Sequence, residues 1–133
     1  MTPANKIRKE LLLQAAQDPE LNFGLPLDTD EQVEEAFSRF EESDNHWDYL
    51  SEFREGQEET NIDAPYSRHY ESRSVARKLS DGSWVGWTYW YGGGKHGDPE
   101  SIDWIEDAYD LTCVEETKTV VVKTFTIVEN NSQ

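Results

Sequence analysis

SDGSWVGWTYWYGGG, residues 80–94, decides how this chain is read. Asp81-Gly82 stands at the centre of a four-residue turn signal, and Asp-Gly is a strong mark of a tight hairpin. Eight residues follow without a break, 84–91, and five of them are aromatic. On a strand, Val85, Trp87, Tyr89 and Tyr91 face one way, and Trp84, Gly86, Thr88 and Trp90 face the other. Large rings on both faces predict a strand with one face packed on helices. The second face is left to loops, solvent or a partner. Gly86, inside the strand, permits a close backbone approach or a bulge. The glycine run 92–94 with Lys95 is no phosphate loop, because no Ser or Thr follows the lysine and the first glycine is misplaced. No βαβ unit surrounds it for a dinucleotide. It reads as a loop over 92–98 with Lys95 and His96 exposed.

Working outward, residues 66–79 form the strand that enters the hairpin. Asp98-Pro99-Glu100 resembles a helix start, with a short helix over about 99–105. A third strand is expected over 108–115, a turn at Glu116-Thr117, and a last strand rich in valine and threonine over 118–128. The tail, 129–133, should fray. Towards the N-terminus, Thr2-Pro3 opens a helix reaching about residue 17, with Ile7, Leu11, Leu12 and Ala15 on its apolar side. Residues 21–27 form a loop anchored by Leu21, Phe23, Leu25 and Leu27. Thr29-Asp30-Glu31-Gln32 is a capping box, and its helix runs to about 42 with Val33, Ala36, Phe37 and Phe40 inward. A third helix over 44–57 would turn Trp47, Leu50 and Phe53 inward. Residues 56–65 read as a polar, acidic connection.

The expected fold class is α+β, with two to three N-terminal helices packed on a C-terminal antiparallel sheet of about four strands. One domain covers 1–133, mainly helical and acidic over 1–65, with the sheet over 66–128. A chain of 133 residues suits one modest core.

Charge then limits function. The net charge is −16, from 28 acidic against 12 Lys and Arg side chains. Residues 18–63 hold sixteen Asp or Glu against Arg39 and Arg54 alone, and residues 98–116 hold eight acids and no base. Between them lies a mildly basic hairpin with Arg68, Arg73, Arg77, Lys78 and Lys95. Such a surface repels phosphate backbones, so direct nucleic-acid binding is not expected, whereas basic proteins are attracted. The lone Cys113 allows no internal disulfide and suits a reducing compartment. The apolar run Leu11 to Leu13 is too short for a signal peptide or a membrane span. A cytoplasmic location is expected.

No catalytic signature emerges. His46, His69 and His96 stand in separate elements without ligand spacing, so neither metal nor cofactor is expected. Cys113, among apolar neighbours in a strand, reads as a buried thiol. Asp103, Glu106, Asp107 and Asp110 would share one face if their stretch were helical; if it turns to strand near Asp107, the pattern breaks. The candidate partner-binding residues are the helical acids Glu34, Glu35, Glu41, Glu42, Asp44 and Asp48, that second acidic row, and the sheet aromatics Trp87, Tyr89 and Trp90.

In size, acidity and thiol usage the chain resembles small acidic accessory proteins of phages and mobile elements, some of which inhibit restriction or CRISPR machinery as DNA mimics. It is similar in composition to acidic immunity proteins that neutralise basic nuclease toxins. The resemblance is one of composition and carries no residue over. The functional expectation is a non-enzymatic interaction protein that binds a basic macromolecular partner, such as a nucleic-acid-handling enzyme, by imitating nucleic-acid charge. The alternative is a small ligand-binding domain or enzyme with an aromatic pocket between helices and sheet.

Overall fold

In the computed structural model, which describes residues 1–17, 26–94 and 97–128, three helices precede a four-stranded antiparallel sheet. The helices are α1 (Pro3–Ala15), α2 (Asp30–Glu41) and α3 (His46–Phe53). The strands are β1 (Glu58–Glu59), β2 (Glu71–Lys78), β3 (Trp84–Tyr91) and β4 (Tyr109–Leu111), in the order β1-β2-β3-β4. A 3-10 turn (Pro99–Ser101) lies between β3 and β4. The α+β expectation holds.

Local chemistry sets the helix starts. Thr2 caps α1 by accepting from the Asn5 amide, with proline at the first position. Thr29 and Gln32 form the expected reciprocal capping box on α2. The two helix starts are tied together. Asn5, almost fully buried, donates through Nδ2 to Asp30 at 2.7 Å and Glu34 at 3.0 Å, and accepts from Arg8 at 2.7 Å. The Thr2 backbone amide also donates to Asp30. These donors, Asn5 first and then Thr2, hold the Asp30 carboxyl below its ordinary value of 3.8. A lowered carboxylate pKa stabilises the fold above pH 3.8 and loses that contribution as pH falls through the folded value. Acid unfolding below about pH 4 should therefore shift less with pH in Asp30→Asn than in the parent. Identical acid limbs in the two thermal-melting series would remove Asp30 from that linkage.

β2 and β3 pair along their whole length, from Glu71 opposite Tyr91 to Lys78 opposite Trp84. The turn between them closes with Leu79 and Ser83 bonded at 2.8 Å and Asp81 accepting from Ser83. β3 sends Val85 and Trp87 into the core with Val75 of β2, against Ile7, Leu11, Leu12, Val33, Phe40 and Phe53. The predicted alternation thus holds, and the face carrying Trp87 is the helix-covered one.

The opposite face is built from small residues. Ser74, Ala76, Gly86 and Thr88 are buried along it, with Trp84 and Trp90 half-buried at the two ends of β3. Gly86 is there because of β4: a Cβ at this position would stand 2.7 Å from both Leu111 Cδ1 and Tyr109 Cε2. The glycine run answers to backbone geometry. Gly92, Gly93 and Gly94 all have positive φ, and Tyr70 packs where a Gly93 side chain would stand. Lys95 and His96, expected on that loop, lie outside the described residues, as do Leu21, Phe23 and Leu25.

Four expectations change. The strand predicted over 118–128 does not join the sheet. Residues 112–128 carry no regular secondary structure, and Val120, Val121, Val122, Phe125, Ile127 and Val128 are all more than 70% exposed. The Glu116-Thr117 link supplies no Gly, Asn or Asp for the positive φ that two-residue hairpin turns require. The fourth strand is instead β1, from the segment read as a connection, held by Gln57 and Thr60 amides donating to Ala76 and Ser74 carbonyls. The third strand shortens to Tyr109–Leu111, so Cys113 lies beyond it and is exposed, not a buried thiol. Trp47, expected inward, is 58% exposed. The inward set of α3 is His46, Tyr49, Leu50 and Phe53, spaced i, i+3, i+4, i+7, and this leaves Trp47 off the apolar stripe.

Candidate functional site

The six helical acids are all exposed, yet two are already engaged. Glu34 accepts from Asn5, and Glu35 pairs with Arg39 one turn on at 3.1 Å. Glu41, Glu42, Asp44 and Asp48 follow from the end of α2 into α3. Among the described residues they face no ion-pair partner. Asp48 and Glu52, four apart on α3, line one shallow depression with Asn45 and Tyr49. The exposed acids continue through Glu55 into the edge strand, with Glu58 and Glu59. Helix α3 thereby carries a run of carboxylates along its outer side towards one edge of the sheet.

The second acidic row is not a helix face. Residues 103–107 form a turn in which Asp103 accepts from the Glu106 amide, and Asp110 is on β4. Glu106 is paired with Arg8, and Asp110 with Lys6 at 2.8 Å. Half of that row, though exposed, is thus paired with cations of α1, which ties the segment around β4 to the helices. Asp103 and Asp107 remain exposed.

The sheet aromatics part company as well. Trp87 has no exposed surface, so it is a core residue and not a contact for a partner. Its indole donates to the Arg54 carbonyl at 2.8 Å and stacks on Phe53, with Trp104 5.2 Å away. These rings fill the space between helices and sheet where an aromatic pocket was the alternative. Tyr89 is half-buried between two cations, with Arg54 4.8 Å and Arg73 5.7 Å from its ring centre. Trp90, half-buried, offers its carbonyl to Arg54.

Sequence reasoning missed an exposed aromatic that stands beside acidic groups, Trp47. Trp47 leans on the His46 ring at 4.7 Å and shares a depression of about 260 Å³ with Asp98, Glu100 and Ser101. Asp44 and Asp48 flank it in sequence. The two loop acids are held in position before any partner arrives. Asp98 accepts from the Glu100 amide at 2.9 Å, and Glu100 takes Ser51 Oγ at 3.0 Å with Arg54 at 3.7 Å. An indole with its face open beside fixed carboxylates suits a guanidinium or ammonium group, which stacks on the ring while pairing with the acids. The spacing of the inward set on α3, His46, Tyr49, Leu50 and Phe53, was the available signal that Trp47 points out.

Among the described residues no group of three or more His, Cys, Asp or Glu could hold a metal ion. None of the described helices is long and apolar enough to cross a membrane. Comparison with protein-family models, curated proteins and solved structures finds no match for this chain. The functional reading therefore rests on the surface itself.

Proposed function

We propose that this chain is a non-enzymatic interaction protein whose acidic α2–α3 face binds a basic macromolecular partner, imitating the charge of a nucleic acid in the basic groove of a nucleic-acid-handling protein. The observation that carries this reading is Trp47, an exposed indole that shares a depression with Asp98 and Glu100, with Asp44 and Asp48 close to it in sequence. Solubility alone asks for scattered charge and no exposed tryptophan. Recognition of cations asks for both together, because tryptophan is enriched among residues that carry binding energy and rows of carboxylates steer a basic partner in. The filled core between helices and sheet supports the same reading over the pocket alternative.

The test is capture of partners from the native cell with the tagged chain, eluted by a salt gradient and by competing duplex DNA. A basic nucleic-acid-handling protein should leave the column at moderate salt and be displaced by DNA. Retention that ignores salt would overturn the proposal. With the partner in hand, Glu41→Gln, Glu42→Gln, Asp44→Asn and Asp48→Asn together should slow association by about tenfold or more, because steering is lost. Trp47→Ala should instead speed dissociation, since it removes a contact and leaves the field intact. Unchanged rates in both would mean that the acids only solubilise the chain.

A further inference from the structure

The stretch from Leu111 to Val128 is out of character with the rest of the molecule. It holds Glu115, Glu116, Lys118 and Lys123, so it is neutral within a chain of net charge −16. It is rich in Val, Thr, Ile and Phe, the residues of strands. Yet past Leu111 it forms no strand, and its apolar side chains stand 74–90% exposed. It continues directly from β4, which is an edge strand of the sheet. An edge strand with a free, apolar continuation is a template for pairing with another chain. The acidic helical surface repels its own copy in a second chain; this neutral stretch does not.

We propose that residues 111–127 pair antiparallel with the same residues of a second copy, about a twofold axis at Thr119, to extend the sheet of each protomer into the other. The sequence is self-complementary in this register. A twofold axis normal to an antiparallel pair places one residue opposite its own copy, and residues k before and k after it then face each other. With Thr119 on the axis, Glu115 lies opposite Lys123, and by symmetry this ion pair forms twice. Leu111 lies opposite Ile127, Cys113 opposite Phe125, and Thr117 opposite Val121. All of these belong to one face of the new ladder.

That face is also the one the helices do not cover, and among the described residues no strand lies beyond β4 at its edge. Leu111 pairs with Trp84, so its side chain shares the small-residue face of the sheet, away from the helices. There Trp84, Leu111 and Cys113 line a groove of about 480 Å³. Ile127 and Phe125 of the second copy would stand one strand farther out on this same face and close its open side. The dimer site is separate from the Trp47 surface, and it stands or falls independently of the proposed function.

The test uses the full chain in sedimentation and light scattering across a concentration series. The intact protein should be a dimer, and a chain ending at residue 117 should be a folded monomer by circular dichroism. Lys123→Glu puts two acids opposite each other and should weaken the dimer by about tenfold, while the added change Glu115→Lys should restore it. In a Cys113→Ser background, Thr119→Cys should crosslink readily under mild oxidation, and Val122→Cys should not. A monomeric full chain would overturn the proposal, whether residues 118–128 show amide protection within their own sheet or none. A dimer that survives truncation, or that crosslinks through Val122→Cys rather than Thr119→Cys, would overturn it equally.

Discussion

Trp87→Ala should cost about 4 kcal/mol of folding stability, the largest single effect expected in this protein. Three losses combine at that position. The indole is fully buried, so its removal leaves a cavity between α3 and the sheet that neighbours on regular elements can collapse into only in part. The stack with Phe53 at 5.5 Å and the tilted contact with Trp104 at 5.2 Å disappear. The Arg54 carbonyl loses its donor inside the protein. A domain of this size has about 5–15 kcal/mol in total, so the variant should sit near the edge of folding. Urea titration followed by far-UV circular dichroism reads the change without relying on tryptophan emission. Trp87→Phe should fall between the two, since it keeps most of the volume but not the donor. A loss under 1 kcal/mol in Trp87→Ala would mean that this ring does not organise the core.

Arg54 is the second large effect, and it comes from a charged residue at the end of α3 that is 9% exposed. Its Nη1 donates to the Trp90 carbonyl at 2.7 Å, its guanidinium lies over the Tyr89 ring, and Glu100 stands 3.7 Å away. The first two contacts join the end of α3 to neighbouring residues of β3, and the third joins it to the 3-10 turn. Arg54→Ala should therefore cost about 3 kcal/mol, the sum expected for a charged hydrogen bond, a cation–π contact and the packing of the stem. Arg54→Lys should recover less than half of this, because an ammonium cannot stack flat on Tyr89 and reach the carbonyl together. Tyr89→Leu in the Arg54→Ala background should then cost less than it does alone, which a double-mutant cycle by urea titration measures. Strict additivity would show that Arg54 acts without Tyr89. Because Arg54 also places Glu100 beside Trp47, its loss should loosen the acidic surface as well as the core.

Much of the fold was legible because it is written in short-range chemistry. The capping box at Thr29, the Thr2-Pro3 start and the Asp81-Gly82 turn each act within four residues, and all three lie where they were expected. β3 matches its predicted span, 84–91, since alternation and turn signals bound it on both sides. The candidate site was legible in its charge and less so in its geometry. That α2 and α3 are acidic on their exposed sides follows from helical spacing. That Glu106 and Asp110 are neutralised by Arg8 and Lys6 does not, because the partners are about a hundred residues apart in sequence.

Sequence alone determined the order of elements, helices before an antiparallel sheet, and the excess of negative charge along the chain. Both follow from local propensity and residue count, which need no knowledge of neighbours. Tertiary structure alone decided which strand completes the sheet. Residues 118–128 have stronger strand propensity than Glu58–Glu59, yet β1 joins the sheet because the short chain from α3 delivers it to the free edge of β2, where Gln57 and Thr60 find carbonyl partners, whereas the Glu116-Thr117 link does not return 118–128 to the edge of β4. It decided too that Trp87 is core and Trp47 is surface, since the same residue type is buried or presented according to which stripe of its element meets the rest of the fold.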